Sequence, residues 1–68
     1  MIEIKIDTEF IKLGQLLKMS GLADSGSYAK MYIVEGMVSV NGEVDIRRGR
    51  KVYPGDIVTF QDKEVKVN

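Results

Sequence analysis

The sequence predicts an α+β fold in which two short helices pack on a small, mostly antiparallel sheet. Three observations lead there. Ile2, Ile4 and Ile6 alternate with polar residues at the chain start, apolar residues recur at helical spacing between residues 11 and 36, and alternation returns from Met37 to the end. The expected order of elements is β-α-α-β-β-β-β, with short connections throughout.

The first strand rests on the period-2 pattern of Ile2, Ile4 and Ile6, which buries one face. Asp7 and Thr8 interrupt it. In the stretch IKLGQLLKMSG, Leu13, Leu16 and Leu17 fall on one side of a helix that Ser20-Gly21 ends, since glycine readily takes the left-handed conformation that closes a helix. Asp24 and Ser25 are then N-cap candidates for a second helix, with Ala29, Tyr32 and Ile33 on its apolar side and Gly36 at its end. Val38 and Val40 begin a hairpin whose Asn41-Gly42 is the strongest short-range signal for a type I′ turn, and Val44 and Ile46 are expected to start the return strand. Tyr53-Pro54-Gly55-Asp56 has proline and glycine in the order of a type II turn. IVTF and EVKV, separated by Gln61-Asp62-Lys63, form a last hairpin.

Length allows one domain, 1–68, divided into a lead-in strand (1–10), a central unit (11–60) and a final hairpin strand (61–68). A chain this short buries only about 60% of its unfolded surface. It contains no cysteine and no histidine, so neither disulfides nor a zinc site are expected to staple it, and apolar packing must hold it together. No cofactor and no metal are expected. The apolar stretches are far short of a membrane span, and MIEIKID alternates where a signal peptide would be uniformly apolar, so a cytoplasmic protein without membrane contact is the expectation. Met19, Met31 and Met37 read as packing residues. With no heptad or long apolar stripe left over, a monomer is expected.

Catalysis has little to work with. The usual general base and the thiol nucleophile are missing, and a domain of this size has no room for a deep pocket. Glu43 and Asp45 are spaced as a carboxylate pair, but beside a turn they read as a solvated strand face. The chain is therefore expected not to be an enzyme.

Charge is the informative feature. Ten Lys and Arg balance ten Asp and Glu, yet Arg47, Arg48, Arg50 and Lys51 crowd into five positions. A local positive patch can persist on a neutral molecule because screening confines each exposed charge to about 8–10 Å. Arginine forks match phosphate oxygens, so the cluster reads either as a solvated loop or as a phosphate-binding edge. Lys30, about 100° from Ala29 around the second helix, can project from the rim of the apolar face. Lys12 and Lys18, six residues apart in a helical reading, fall about 240° apart and are not expected to share a face. Tyr28 and Tyr53 are surface candidates for stacking on unpaired bases, whereas Tyr32 reads as core.

SGSYAKMYIVEGMVSVNGEV resembles the signature of the RNA-binding domain named after small-subunit ribosomal protein S-four, also called the αL motif. The positions that match are Ser27, Ala29, Lys30, Ile33, Gly36, Val38, Val40, Asn41 and Gly42, followed by Gly55 and Asp56. KLGQLLKMSGLADSGSYAK together with RRGRK is similar to the short, stand-alone bacterial YaaA/YbcJ-like subgroup of that family. The resemblance implies a non-enzymatic protein that contacts structured RNA, ribosomal RNA or tRNA, through its two helices and the adjoining loop, with the ribosomal subunit as a further partner and a role in ribosome assembly or translation. The residues it points to are Lys12, Lys18, Ser27, Tyr28, Lys30, Arg47, Arg48, Arg50 and Lys51. Two positions depart from the family pattern: Gly14 replaces the acid of Arg-Leu-Asp at the start of the first helix, and Gly26 stands where many members carry arginine. These departures shift the electrostatic contact toward the loop. The alternative is a protein-interaction adaptor whose basic loop docks on an acidic partner.

Overall fold

Alternation at the N-terminus produces β1 (Ile2–Ile4), which joins a five-stranded sheet. The computed structural model describes all residues from 1 to 68 and continues with β2 (Ile11–Lys12), α1 (Leu13–Met19), α2 (Gly26–Val34), β3 (Val38–Val40), β4 (Glu43–Val44), β5 (Lys51–Val52), β6 (Ile57–Phe60) and β7 (Lys63–Val67). The large sheet has the order β1-β7-β6-β3-β4; only the β1–β7 pair is parallel. A separate two-stranded ribbon pairs β2 with β5, Ile11 opposite Val52 and Lys12 opposite Lys51. The α+β class, with two helices on a mostly antiparallel sheet, is as expected. The order is not: β2 and β5 are two extra strands, each too short to show a period in the sequence.

The helices and the sheet close on one apolar core. Leu13, Leu16 and Leu17 of α1 and Ala29 and Ile33 of α2 meet Val38 and Val40 of β3, Val58 and Phe60 of β6, and Val65 and Val67 of β7. Ile11 and Val52 cover one end from the ribbon, and Ile2, Ile4 and Ile6 pack against the cluster half-buried. Burying a side chain of Val, Leu or Ile size contributes about 1.5–3 kcal/mol before entropy is counted.

Turn chemistry fixes the register. Asn41 and Gly42 both have positive φ, 53° and 86°, as a type I′ turn demands, and glycine takes the second position without a Cβ penalty. The Asn41 side chain also clamps the neighbouring hairpin: its Oδ1 accepts from the Ile57 N–H at 2.9 Å and its Nδ2 donates to Asp56 Oδ1 at 3.0 Å. Asp56 Oδ2 in turn accepts from the Tyr53 N–H at 2.9 Å. The Asn-Gly and Gly-Asp elements of the sequence thus tie two turns together at the base of the basic loop.

Three expectations are corrected by the structure. Val44 and Ile46 face solvent, 61% and 62% exposed, while Asp45 between them is buried at 7%. The return strand ends at Val44, so Ile46 lies beyond it, and the chain turns Asp45 inward because charged donors are waiting for it. Met19, Met31 and Met37 are all exposed rather than packed. Tyr32 is only half-buried, its ring 4.6 Å from that of Phe60. No helix is long and apolar enough to cross a membrane.

Candidate nucleic-acid interface

The loop after β4 is built around Asp45. Its Oδ1 accepts from the Arg47 N–H at 2.9 Å and from Arg47 Nε at 3.0 Å, and its Oδ2 accepts from Arg47 Nη2 and Arg50 Nη1, both at 2.8 Å. The Arg47 side chain, and after it Arg50, holds the Asp45 carboxyl well below the usual carboxylate range, outweighing the burial that pushes it up. The same pairing raises the Arg47 guanidinium above its ordinary value. Between the two arginines, Arg48 and Gly49 form a turn closed by the Arg50 N–H donating to the Arg47 carbonyl at 3.1 Å. The expectation that Asp45 is merely part of a solvated strand face is thereby corrected. The chain's two ion pairs both converge on it.

This loop is docked onto the start of α1. Lys12 occupies the N-cap position with extended backbone and offers no side-chain cap. In its place, the Leu13 N–H donates to the Arg50 carbonyl at 2.9 Å and the Gly14 N–H to the Arg48 carbonyl at 3.0 Å. Two donors that a helix start leaves unpaired are satisfied by the backbone of the basic loop. Close approach explains Gly14: a Cβ there would lie 2.8 Å from Arg48 Cγ. Where the family pattern has an acid, this chain has space for an arginine stem.

The result is an open recess of about 890 Å³ between α1, α2 and the loop. Lys12, Lys18, Lys30 and Arg48 line it with Gly14, Gln15, Ser25, Gly26, Ser27 and Gly49, and no acid is among them. None of the four cations forms an ion pair. At the start of α2, Ser25 caps by accepting from the Tyr28 N–H at 3.3 Å, while the N–H groups of Gly26 and Ser27 find no acceptor in the chain. Free N–H groups at a helix start favour an anion.

The sequence-based candidates separate accordingly. Lys12, Lys18, Ser27, Lys30 and Arg48 come together in the recess. The expectation that Lys12 and Lys18 do not share a surface is wrong because Lys12 belongs to β2, where helical geometry does not apply. Arg47, Arg50 and Lys51 line a second, adjoining recess, with Gly49 common to both. Tyr28 lies outside both recesses, its ring stacked 6.2 Å from Tyr32. Lys51 places its ammonium 4.9 Å from the centroid of the Phe10 ring. Gln15 joins the recess without having been singled out, Ser25 joins it having been expected only as a helix cap, and Asp45 was missed as the organiser. Its signal was legible as an acid two and five residues ahead of arginines.

A family model described as the S4 domain matches residues 4–68. The chain belongs to the S4 domain family. Among relatives of this S4 protein, one from Bacillus subtilis (strain 168), RlbA, is named a ribosome maturation protein; it is 52% identical over 58 residues, 85% of this chain and 82% of the relative. Another, YbcJ of Escherichia coli (strain K12), is named an RNA-binding protein and is 40% identical over 57 residues, 84% of this chain and 81% of that one. The solution structure of E. coli YbcJ, described as having an αL motif involved in RNA binding, aligns with a TM-score of 0.76 at 35% identity and covers 98% of this chain and 86% of its own. The two-helix, mostly antiparallel architecture of this chain is that of the αL motif.

Proposed function

We propose that this member of the S4 domain family is a non-enzymatic, cytoplasmic RNA-binding protein that grips folded RNA by phosphate contacts in the recess between α1, α2 and the basic loop. The observation that carries this reading is the lining of that recess: four unpaired cations, two free helix N–H groups and no acid. The names of the B. subtilis and E. coli relatives support it, and that of the B. subtilis relative favours ribosomal RNA, in ribosome assembly, over tRNA. An adaptor that docks an acidic protein through the loop alone is less well supported, since two of the four loop cations are already satisfied by Asp45.

Titration of a ribosomal RNA hairpin at several salt concentrations tests the proposal. Four phosphate contacts correspond to a log–log slope on the order of −3. Changing Lys12, Lys18 and Lys30 together to alanine, with the circular dichroism spectrum preserved, should reduce the slope to on the order of −1. Salt-independent binding, or a triple variant that binds like the wild type, contradicts the reading.

A further inference from the structure

The outward face of the β2–β5 ribbon has no role in the fold that explains its composition. Register sets Lys12 directly opposite Lys51, and both are exposed with no acid in ion-pair reach. Like charges facing one another across an antiparallel pair repel, so the free protein keeps an arrangement that an anion would relieve. Lys51 is held at the Phe10 ring, 4.9 Å from its centroid, and the Phe10 ring lies 5.9 Å from that of Tyr53 at an interplanar angle of 53°. Phe10 thus has one face taken by the ammonium, whereas Tyr53 is 41% exposed.

Tyr53 serves the fold through its backbone. Its N–H donates to Asp56 Oδ2 and its carbonyl accepts from the Asp56 N–H, both at 2.9 Å. These bonds fix where the ring stands without using it. Two residues before Tyr53, Lys51 lines the second recess, about 520 Å³, together with Arg47, Gly49 and Arg50, and Gly49 also lines the first.

We propose that Tyr53, together with Lys51, both of which pack on Phe10, binds one unpaired nucleotide of an RNA strand leaving the main recess, the base stacked on the tyrosine ring and its phosphate on Lys51. This rests on the RNA-binding reading above. An exposed flat ring that shares Phe10 with a cation free of any ion pair, Lys51, suits a ligand that alternates planar bases with phosphates. An acidic peptide would use the cations and leave the ring idle.

The test uses the full chain and two RNAs: a hairpin with a short single-stranded tail, and the same hairpin whose tail is abasic. In fluorescence anisotropy the wild type should bind the intact tail at least about five-fold more tightly than the abasic one. Tyr53→Ala should bind both equally, and Tyr53→Leu, which fills the space without an aromatic face, should do the same, while Tyr53→Phe keeps the preference. Lys51→Ala should weaken both tails. Wild-type binding to both RNAs with no preference overturns the stacking site and leaves the main recess intact, as does a preference that survives in Tyr53→Ala and Tyr53→Leu. Failure to bind either hairpin overturns the RNA reading itself. A polyglutamate peptide that binds the wild type and is lost on Tyr53→Ala assigns the face to a protein and also overturns the proposal.

Discussion

Arg47 and Arg48 are neighbours in the chain and equal in charge, but the structure gives them different duties. Arg48 reaches into the main recess alongside Lys12, Lys18 and Lys30, and Arg47 spends its Nε and one terminal nitrogen on Asp45. For four contacts at about −0.75 each, binding of a tail-less hairpin should fall about 60-fold between roughly 50 and 200 mM salt. Arg48→Ala removes one contact, leaving a slope near −2.2 and a fall of about 20-fold over the same range. Arg47→Ala should leave the wild-type slope in place. Its effect falls on the fold, because the buried carboxylate of Asp45 keeps only Arg50 and one backbone N–H as donors, and the denaturant midpoint should drop. Anisotropy titrations and urea unfolding of the two variants, side by side, measure both quantities. Equal reductions in slope from both variants, with equal stability, would show that the cluster acts as one undifferentiated patch and refute the division drawn around Asp45.

Gly14→Ala should change stability by no more than about 1 kcal/mol, since the gain in helix propensity is offset by displacing the Arg48 stem; hairpin affinity should nevertheless fall as it does for Arg48→Ala. Acid titration should single out Asp45. A carboxyl held below its unfolded value of 3.8 adds stability that is fully present above that value and lost as pH falls below it. Urea unfolding at neutral pH and near pH 3 should therefore show a larger acid loss in the wild type than in Asp45→Asn, and identical losses would remove the ion-pair argument. Ser25→Ala should cost about 0.5–1 kcal/mol, the lower part of the range for an N-cap, because the capping bond is long at 3.3 Å and exposed; an unchanged urea midpoint would mean that water caps α2 equally well.

What the sequence made legible were the features that depend on near neighbours. The Ile2, Ile4 and Ile6 alternation, the Leu13, Leu16 and Leu17 stripe, the Ser25 cap and the Asn41-Gly42 turn all act within a few residues, and each is present. The ribbon was not legible, because Ile11 and Val52 are 41 positions apart and neither strand exceeds two residues. Nor was the phase of Val44 and Ile46. Hydrophobicity argues for burying them, and only the arginines arriving later in the chain make Asp45 the better-compensated residue to bury. Lys12 was placed on a helix face when it ends a strand, which hid the convergence of the recess cations.

Neutral net charge and a concentrated positive recess are compatible here because the acid within the basic loop, Asp45, is committed away from the recess. Asp45 neutralises Arg47 and Arg50 on the far side of a turn whose apex, Arg48-Gly49, faces α1. The same turn supplies the carbonyls that cap Leu13 and Gly14, so the helix start, the loop conformation and the position of Arg48 are set by one group of bonds. Asn41 and Asp56 brace its base through the two neighbouring turns. The motif residues that resemble a binding signature at Asn41-Gly42 and Gly55-Asp56 are therefore the frame, and the contact proposed above falls to the cations they position. A change in loop length between Asp45 and Lys51 would move Arg48 out of the recess even with every positive charge retained.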